Sequence, residues 1–459
     1  MMYLKVKKEA KMRKGKFLTV ASLIGLLFLA TPNAEAGVKV NTGIDRPVIV
    51  EGLGEEVVVK VGILAQNPIK STKRLPLNIS VVLDKSGSMG SADKMENAKR
   101  GAIEVIQNLT AGDIFSLIVY DSSARVVIPA QLVKDKQALI QQVRNIYSGG
   151  NTALYDGVSF GASEIRKNIT KEYINKIVLL SDGLANRGPS STEDLAELGR
   201  QLSRESISVS TIGVGLDYNE DLMTSLAEES SGNTYFAKNS DVLPDIFTAE
   251  IGESMTLTAQ DVVIRLECND AVLPVSFIGR KGEIMGKNMQ TEIKQLFAYN
   301  EKYVLFQVKA PKGAHGQTKQ LAKVIVEYRD PYTQKTVKQD SEIRISYDKS
   351  QKAVEKNLDK DIVKQVALTQ VSKRKQKAIS YADKGDYKQA SKILSENKTL
   401  LEKTAKQCDN DKELLDEALK NETRSREVKS GGGFSSFLRK LTVNEASTQT
   451  KQQYTPGAW

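Results

Sequence analysis

The chain has 459 residues, 40% of them apolar and 27% charged, with a formal net charge of +10; this composition excludes a disordered or fibrous protein and allows several hydrophobic cores in roughly three domains. Much of the positive charge sits at the start, where Lys5, Lys7, Lys8, Lys11, Arg13, Lys14 and Lys16 face only Glu9 and Glu35. The remainder has a mild basic excess and no basic stripe interleaved with aromatics, so no nucleic-acid partner is expected.

The first 36 residues have the order of a secretory signal peptide: basic residues, an apolar stretch at 17–30, then small residues around Ala34-Glu35-Ala36. About 14 apolar residues fall short of the roughly 20 that cross a bilayer as a helix. Cleavage after Ala36 is therefore expected. No Cys follows the stretch to accept a lipid. The expected mature chain has no membrane span and resides beyond the inner membrane, in the periplasm, at the cell surface or outside the cell.

Residues 37–73 carry the alternating apolar set Val57, Val59, Val61 and Ile63, as in half-buried strands. Residues 74–253 then alternate short apolar runs with helical patterns, which predicts an α/β fold with a doubly wound, mainly parallel sheet. The expected strands are 77–84, 114–120, 125–130, 176–180, 208–214 and 234–237. The expected helices are 93–109, 134–146, a segment from the 148–152 loop to 168, 192–204, 219–229 and 241–251. Alternation returns in 254–348, at Val304, Phe306 and Val308, at Ala322, Val324, Val326 and Tyr328, and at Ile343, Ile345 and Tyr347. The short N-terminal piece cannot bury a face alone, so it and 254–348 are expected to form one β-sandwich into which the α/β unit is inserted. Residues 349–428 are rich in Lys and Glu with helical periodicity, broken at Lys384-Gly385-Asp386-Tyr387, and read as a C-terminal helical hairpin. After Gly431-Gly432-Gly433 the polar segment 429–459 reads as a disordered tail in preference to a short amphipathic helix at 434–441.

Cys268 and Cys408 fall in different predicted domains, which excludes a disulfide-stapled scaffold. Cys268 follows the alternation Val262, Ile264, Leu266 and reads as a small buried hydrophobe. The single histidine, His315, lies in a glycine-containing turn and reads as solvated. There is no His-Glu-x-x-His or phosphate-binding Gly-x-x-x-x-Gly-Lys, and no nucleophile elbow is expected at a strand-to-helix turn. The protein is not expected to be an enzyme.

Asp84-Lys85-Ser86-Gly87-Ser88 stands where the first strand of the α/β unit ends, and open α/β sheets bind ligands outside the carboxyl ends of their strands. One carboxylate and two hydroxyls at alternate positions let a tight loop turn three oxygens toward one point, with Gly87 easing the backbone. Thr152 follows a second glycine-rich loop, and Asp182 ends the strand after that. Five oxygen side chains from three loops, without His or thiolate, select Mg²⁺, or Mn²⁺ or Ca²⁺, over zinc. Asp-x-Ser-x-Ser alone arises by chance in roughly one chain in ten of this length. Alone it would more often be a hydrogen-bonded turn capping a helix. Its combination with Thr152 and Asp182 at neighbouring strand ends favours a cation.

Residues 77–252 resemble the von Willebrand factor A (integrin I-like) domain, and Asp84, Ser86, Ser88, Thr152 and Asp182 match its metal-ion-dependent adhesion site. DKSGSM, GGNTALYDG and LLSDG are similar to the bacterial secreted members. The resemblance implies that Ser86 and Ser88 bind the metal directly, that Thr152 and Asp182 exchange between direct and water-mediated ligation, and that Asp84 acts mainly through water or hydrogen bonds. It further implies a protein partner presenting an Asp or Glu to the cation, in adhesion or envelope assembly. The alternatives are a metal-dependent hydrolase using Asp84 and Asp182, or a regulator similar to calcium-activated channel proteins.

Overall fold

The computed structural model describes residues 37–66, 74–170 and 172–453, so the expected signal peptide at 1–36 lies outside the described residues. Three strands come first: β1 (Val38–Ile44), β2 (Val48–Val50) and β3 (Glu56–Ala65). Val57, Val59, Val61 and Ile63 of β3 are all buried in one core, as their two-residue spacing requires.

An α/β unit follows. Its elements are β4 (Leu77–Asp84), α1 (Lys94–Asn108), β5 (Ile114–Tyr120), β6 (Ala124–Leu132), α2 (Lys136–Arg144), α3 (Leu154–Arg166), β7 (Ile174–Ser181), α4 (Thr192–Arg204), β8 (Ile207–Val214), α5 (Glu220–Glu229), β9 (Thr234–Ala237) and α6 (Leu243–Ser254). The strand order is β6-β5-β4-β7-β8-β9. Only β6 runs antiparallel to its neighbour. Every residue of β4 is buried, because helices cover both faces. Leu77, Ile79, Val81 and Leu83 join the core that holds Ala98, Ala102, Ile246 and Phe247, while Val82 joins Val158 and Ala162 on the other face. Two-sided burial favours apolar residues along such strands, and the polar Asn78 and Ser80 of β4 are buried with them. The chain passes from β4 to β5 on one side and to β7 on the other, which opens a crevice at the carboxyl end of β4.

The sandwich is completed by β10 (Leu257–Cys268), β11 (Leu273–Ile278), β12 (Glu283–Met285), β13 (Asn288–Phe297), β14 (Glu301–Lys309), β15 (Thr318–Arg329) and β16 (Thr336–Asp348). Its two sheets have the orders β1-β3-β14-β11 and β12-β13-β10-β15-β16-β2. The chain leaves the sandwich after β3 and returns at β10, so the α/β unit is an insertion. Both ends of the insertion are tied down: Tyr299 N donates to Ala65 O at 2.9 Å, and Thr258 Oγ1 donates to Gln66 O at 3.4 Å. Cys268 and Cys408 are both buried and free.

The C-terminal region departs from the expected hairpin and tail. It holds α7 (Gln351–Lys356), α8 (Lys360–Asp383), α9 (Tyr387–Gln407), α10 (Lys412–Gly431) and α11 (Ser436–Lys451). The expected break at Gly385 falls between α8 and α9. A second break, at Asp409 and Asn410, has no glycine; both residues take left-handed backbone angles, φ +56° and +61°. The segment read as disordered instead contains α11, capped by Ser435, whose side chain accepts from Leu438 N at 3.4 Å. The reason is tertiary: Phe437 and Leu441 pack on the α/β core, and Arg439 meets Glu220, Asp221 and Asp383. Past the helix, Gln453 exchanges two 3.1 Å bonds with the backbone of Thr234 on the edge strand β9. No helix among the described residues is long and apolar enough to cross a membrane.

Candidate metal centre

Three loops converge at the carboxyl end of β4, and backbone hydrogen bonds hold them in register. Gly87 N donates to Gly150 O at 3.0 Å, and Gly149 N donates to Lys85 O at 2.6 Å, zipping the Asp-x-Ser-x-Ser loop to the glycine loop before α3. On the other side Thr152 N donates to Asn186 Oδ1 at 3.0 Å, and Asn186 N returns a bond to Thr152 O at 3.1 Å. The glycine loop is thereby fixed to the loop after β7.

The side chains follow this scaffold. Asp84 is fully buried; its Oδ1 accepts from Ser86 N and its Oδ2 from Ser181 Oγ, both at 2.8 Å. Ser86 Oγ and Ser88 Oγ stand 3.1 Å apart, and Ser88 Oγ donates to Asp182 Oδ1 at 2.7 Å. Thr152 belongs to the same cluster: a methyl group at Gly183 would lie 3.2 Å from Thr152 Oγ1, 3.7 Å from Ser88 Oγ and 3.9 Å from Ser86 Oγ. All five residues singled out in the sequence thus come together. Glycine at 183 keeps their hydroxyls unobstructed.

A donor set of this chemistry could hold a hard cation. Every donor is an oxygen, and among the described residues no group of three or more His, Cys, Asp or Glu assembles a site of another kind. Asp84 is held in a state sensitive to charge. Burial pushes its carboxyl up to about 6, against the hydrogen bonds from Ser86 and Ser181 that pull it down, and the charge of Asp182 adds a further upward push. A cation would reverse that balance by stabilising both carboxylates.

Sequence reasoning missed the residues that contact the ligand set. Ser181 was visible only as part of Ser-Asp-Gly, yet its hydroxyl fixes Asp84 from the neighbouring strand β7. Lys85 bonds Asp121, which lies below the usual carboxylate range: burial pushes it up most, but the Lys85 bond and charge and the backbone hydrogen bonds at Ser123 and Ser122 together pull it lower. Lys94, counted only as the start of a helix, places its ammonium 2.7 Å from Asp182 Oδ2. Two other features lie elsewhere or mean something different. His315 is exposed on a turn of the sandwich, with Glu51 and Asp348 nearby. Gly157-Val158-Ser159-Phe160-Gly161 has the letters of a nucleophile elbow but sits inside α3, where methyl groups on its glycines would meet Tyr120 and Val82 at 2.6 and 2.8 Å.

Residues 78–249 match the von Willebrand factor type A domain. An uncharacterized protein of Synechocystis sp. is 31% identical over 167 residues, which are 36% of this chain and 39% of that protein. Inter-alpha-trypsin inhibitor heavy chain H3 of Rattus norvegicus is 28% identical over 167 residues, 34% of this chain and 19% of that one. The chain therefore spans two fifths or less of these curated relatives. A solved von Willebrand factor type A structure from Catenulispora acidiphila superposes with a TM-score of 0.67 at 16% identity, over 91% of this chain and 98% of its own. At that identity the likeness is one of fold, and it extends over the sandwich and C-terminal helices as well as the α/β unit.

Proposed function

We propose that this von Willebrand factor type A domain carries a complete metal-ion-dependent adhesion site. Asp84, Ser86, Ser88, Thr152 and Asp182 would hold one divalent cation, Mg²⁺ first and Mn²⁺ or Ca²⁺ as alternatives. Bound there, the cation supplies a Lewis-acidic position that a partner's Asp or Glu carboxylate can occupy. The chain's own residues make the position specific: Ser181 orients Asp84, the Lys85–Asp121 pair ties two loops, and Asn186 fixes Thr152. The protein acts beyond the inner membrane, as an adhesion or envelope-assembly protein and not as an enzyme.

One observation carries this reading: three hydroxyls and a buried carboxylate from separate loops meet around Gly183 at the sheet's switch point. The name of the rat relative, a heavy chain of an inhibitor, is in keeping with protein binding. The test is retention from a bacterial envelope extract on the immobilised chain, comparing wild type with Asp84→Ala and with chelator. One protein retained only by wild type in Mg²⁺ supports the reading. Retention indifferent to both treatments moves binding to the sandwich or the helices.

A further inference from the structure

Lys94 puts an ammonium group against the carboxylate that the proposed cation needs. Its ammonium lies 2.7 Å from Asp182 Oδ2 while Ser88 Oγ holds Oδ1, so both oxygens of a fully buried carboxylate are already engaged. The side chain is only 13% exposed. Gly215, in the loop after β8, lies beside it: a methyl there would be in ordinary contact with Nζ and Cε, at 3.7 and 3.8 Å.

The backbone is strained where it delivers this lysine. Ala92 and Asp93, just before α1, both take left-handed angles, φ +52° and +53°. Neither is glycine, and such strain persists where surrounding contacts over-determine it, often at functional sites. Here Ser240 Oγ donates to Ala92 O at 2.8 Å and accepts from Asn97 Nδ2 at 2.9 Å, clamping the turn from α6's side.

We infer, resting on the metal-site reading above, that Lys94 is a fixed competitor of the cation that weakens metal binding and strengthens capture of an anionic partner. Asp84 and Asp182 together neutralise a dication. Lys94 adds one further positive charge, leaving the loaded site with net charge +1. Repulsion between the ammonium and the dication across a shared carboxylate lowers cation affinity by about tenfold or more at partly buried distances. The same excess charge draws in a carboxylate. The metal is then held loosely until a partner's acid completes its shell.

The test titrates Mn²⁺ into the chelator-stripped full chain by calorimetry, in wild type, Lys94→Gln and Lys94→Arg. Thermal unfolding in chelator confirms that each variant is folded. Lys94→Gln keeps a polar group beside Asp182 without charge and should bind Mn²⁺ about tenfold tighter. Lys94→Arg should stay near wild type. Acetate, followed by its relaxation on the Mn²⁺-loaded protein, should bind Lys94→Gln more weakly. Equal or weaker Mn²⁺ binding by folded Lys94→Gln overturns the inference and makes Lys94 a positioning residue for Asp182. If wild type and both variants all fail to take Mn²⁺, the metal-site reading falls with it.

Discussion

Ser88 donates its hydroxyl to Asp182 Oδ1 at 2.7 Å, joining the loop after β4 to the end of β7 across 94 residues of sequence. Ser88 is itself exposed and its partner buried, so the bond faces outward from a rigid wall. Ser88→Ala should lose Mn²⁺ binding by more than tenfold while costing only about 1 kcal/mol of stability, the worth of one hydrogen bond. Calorimetry and urea unfolding in chelator measure the two effects. A variant that binds normally would remove Ser88 from the ligand set.

Asp84 sets a pH dependence whose sign follows from its burial. Its carboxyl is raised from 3.8 to about 6 in the folded chain, so between those values the folded state holds the proton more tightly than the unfolded one. The stability this supplies is complete below pH 3.8 and is lost as pH rises through 6. At 1.36 kcal/mol per unit, the loss amounts to about 3 kcal/mol at most. In chelator, Asp84→Asn should therefore stabilise the protein at pH 7.5 and leave it nearly unchanged at pH 3.5. Denaturant unfolding at both values checks this, and equal destabilisation at both would contradict it. Cation affinity in wild type should fall as pH drops below 6.

Lys176 and Glu250 form a fully buried ion pair between β7 and α6, and Glu250 also accepts from Ser210 at 2.7 Å and Tyr235 at 2.6 Å. Lys176→Met strands the carboxylate and should cost about 3–5 kcal/mol. Pairing it with Glu250→Gln should recover much of that loss. Urea midpoints of the two single variants and the double variant give the coupling, and additive losses would contradict the pairing.

Arg439 of α11 reaches Glu220 and Asp221 of α5 and Asp383 of α8, bonding the last two at 2.6 and 2.8 Å. Beside it, Phe437 packs on Phe236 with ring centroids 6.0 Å apart. Amides of α11 should therefore exchange with deuterium far more slowly than those of a solvated tail. Arg439→Ala should speed that exchange and cost about 1–2 kcal/mol through its lost charge-assisted hydrogen bonds, since Lys440 still pairs Glu220. Exchange within seconds in wild type would contradict the docked helix.

Strands such as β4 and β7 were legible from the dense apolar stretches Val81 to Leu83 and Ile177 to Leu180 that burial on both faces favours, and the five proposed ligands were legible because each lies next to a strand end or a glycine loop. Lys94 and Ser181 were not. Their roles arise from contacts 88 and 97 residues away, which no local pattern encodes. The tail failed for a related reason: Lys440, Thr442 and Ser447 are buried, yet their composition reads as solvated, because what makes Lys440 tolerable there is Glu220 on a distant helix. The break after α9 was hidden because Asp409 and Asn410, not glycines, make it.

The most direct test of the account is a calorimetric titration of Mn²⁺ into the chelator-stripped full chain, run beside Asp182→Ala. The account predicts one site per chain in wild type and none in the variant. A silent wild-type titration, or a variant that binds as wild type does, would contradict it.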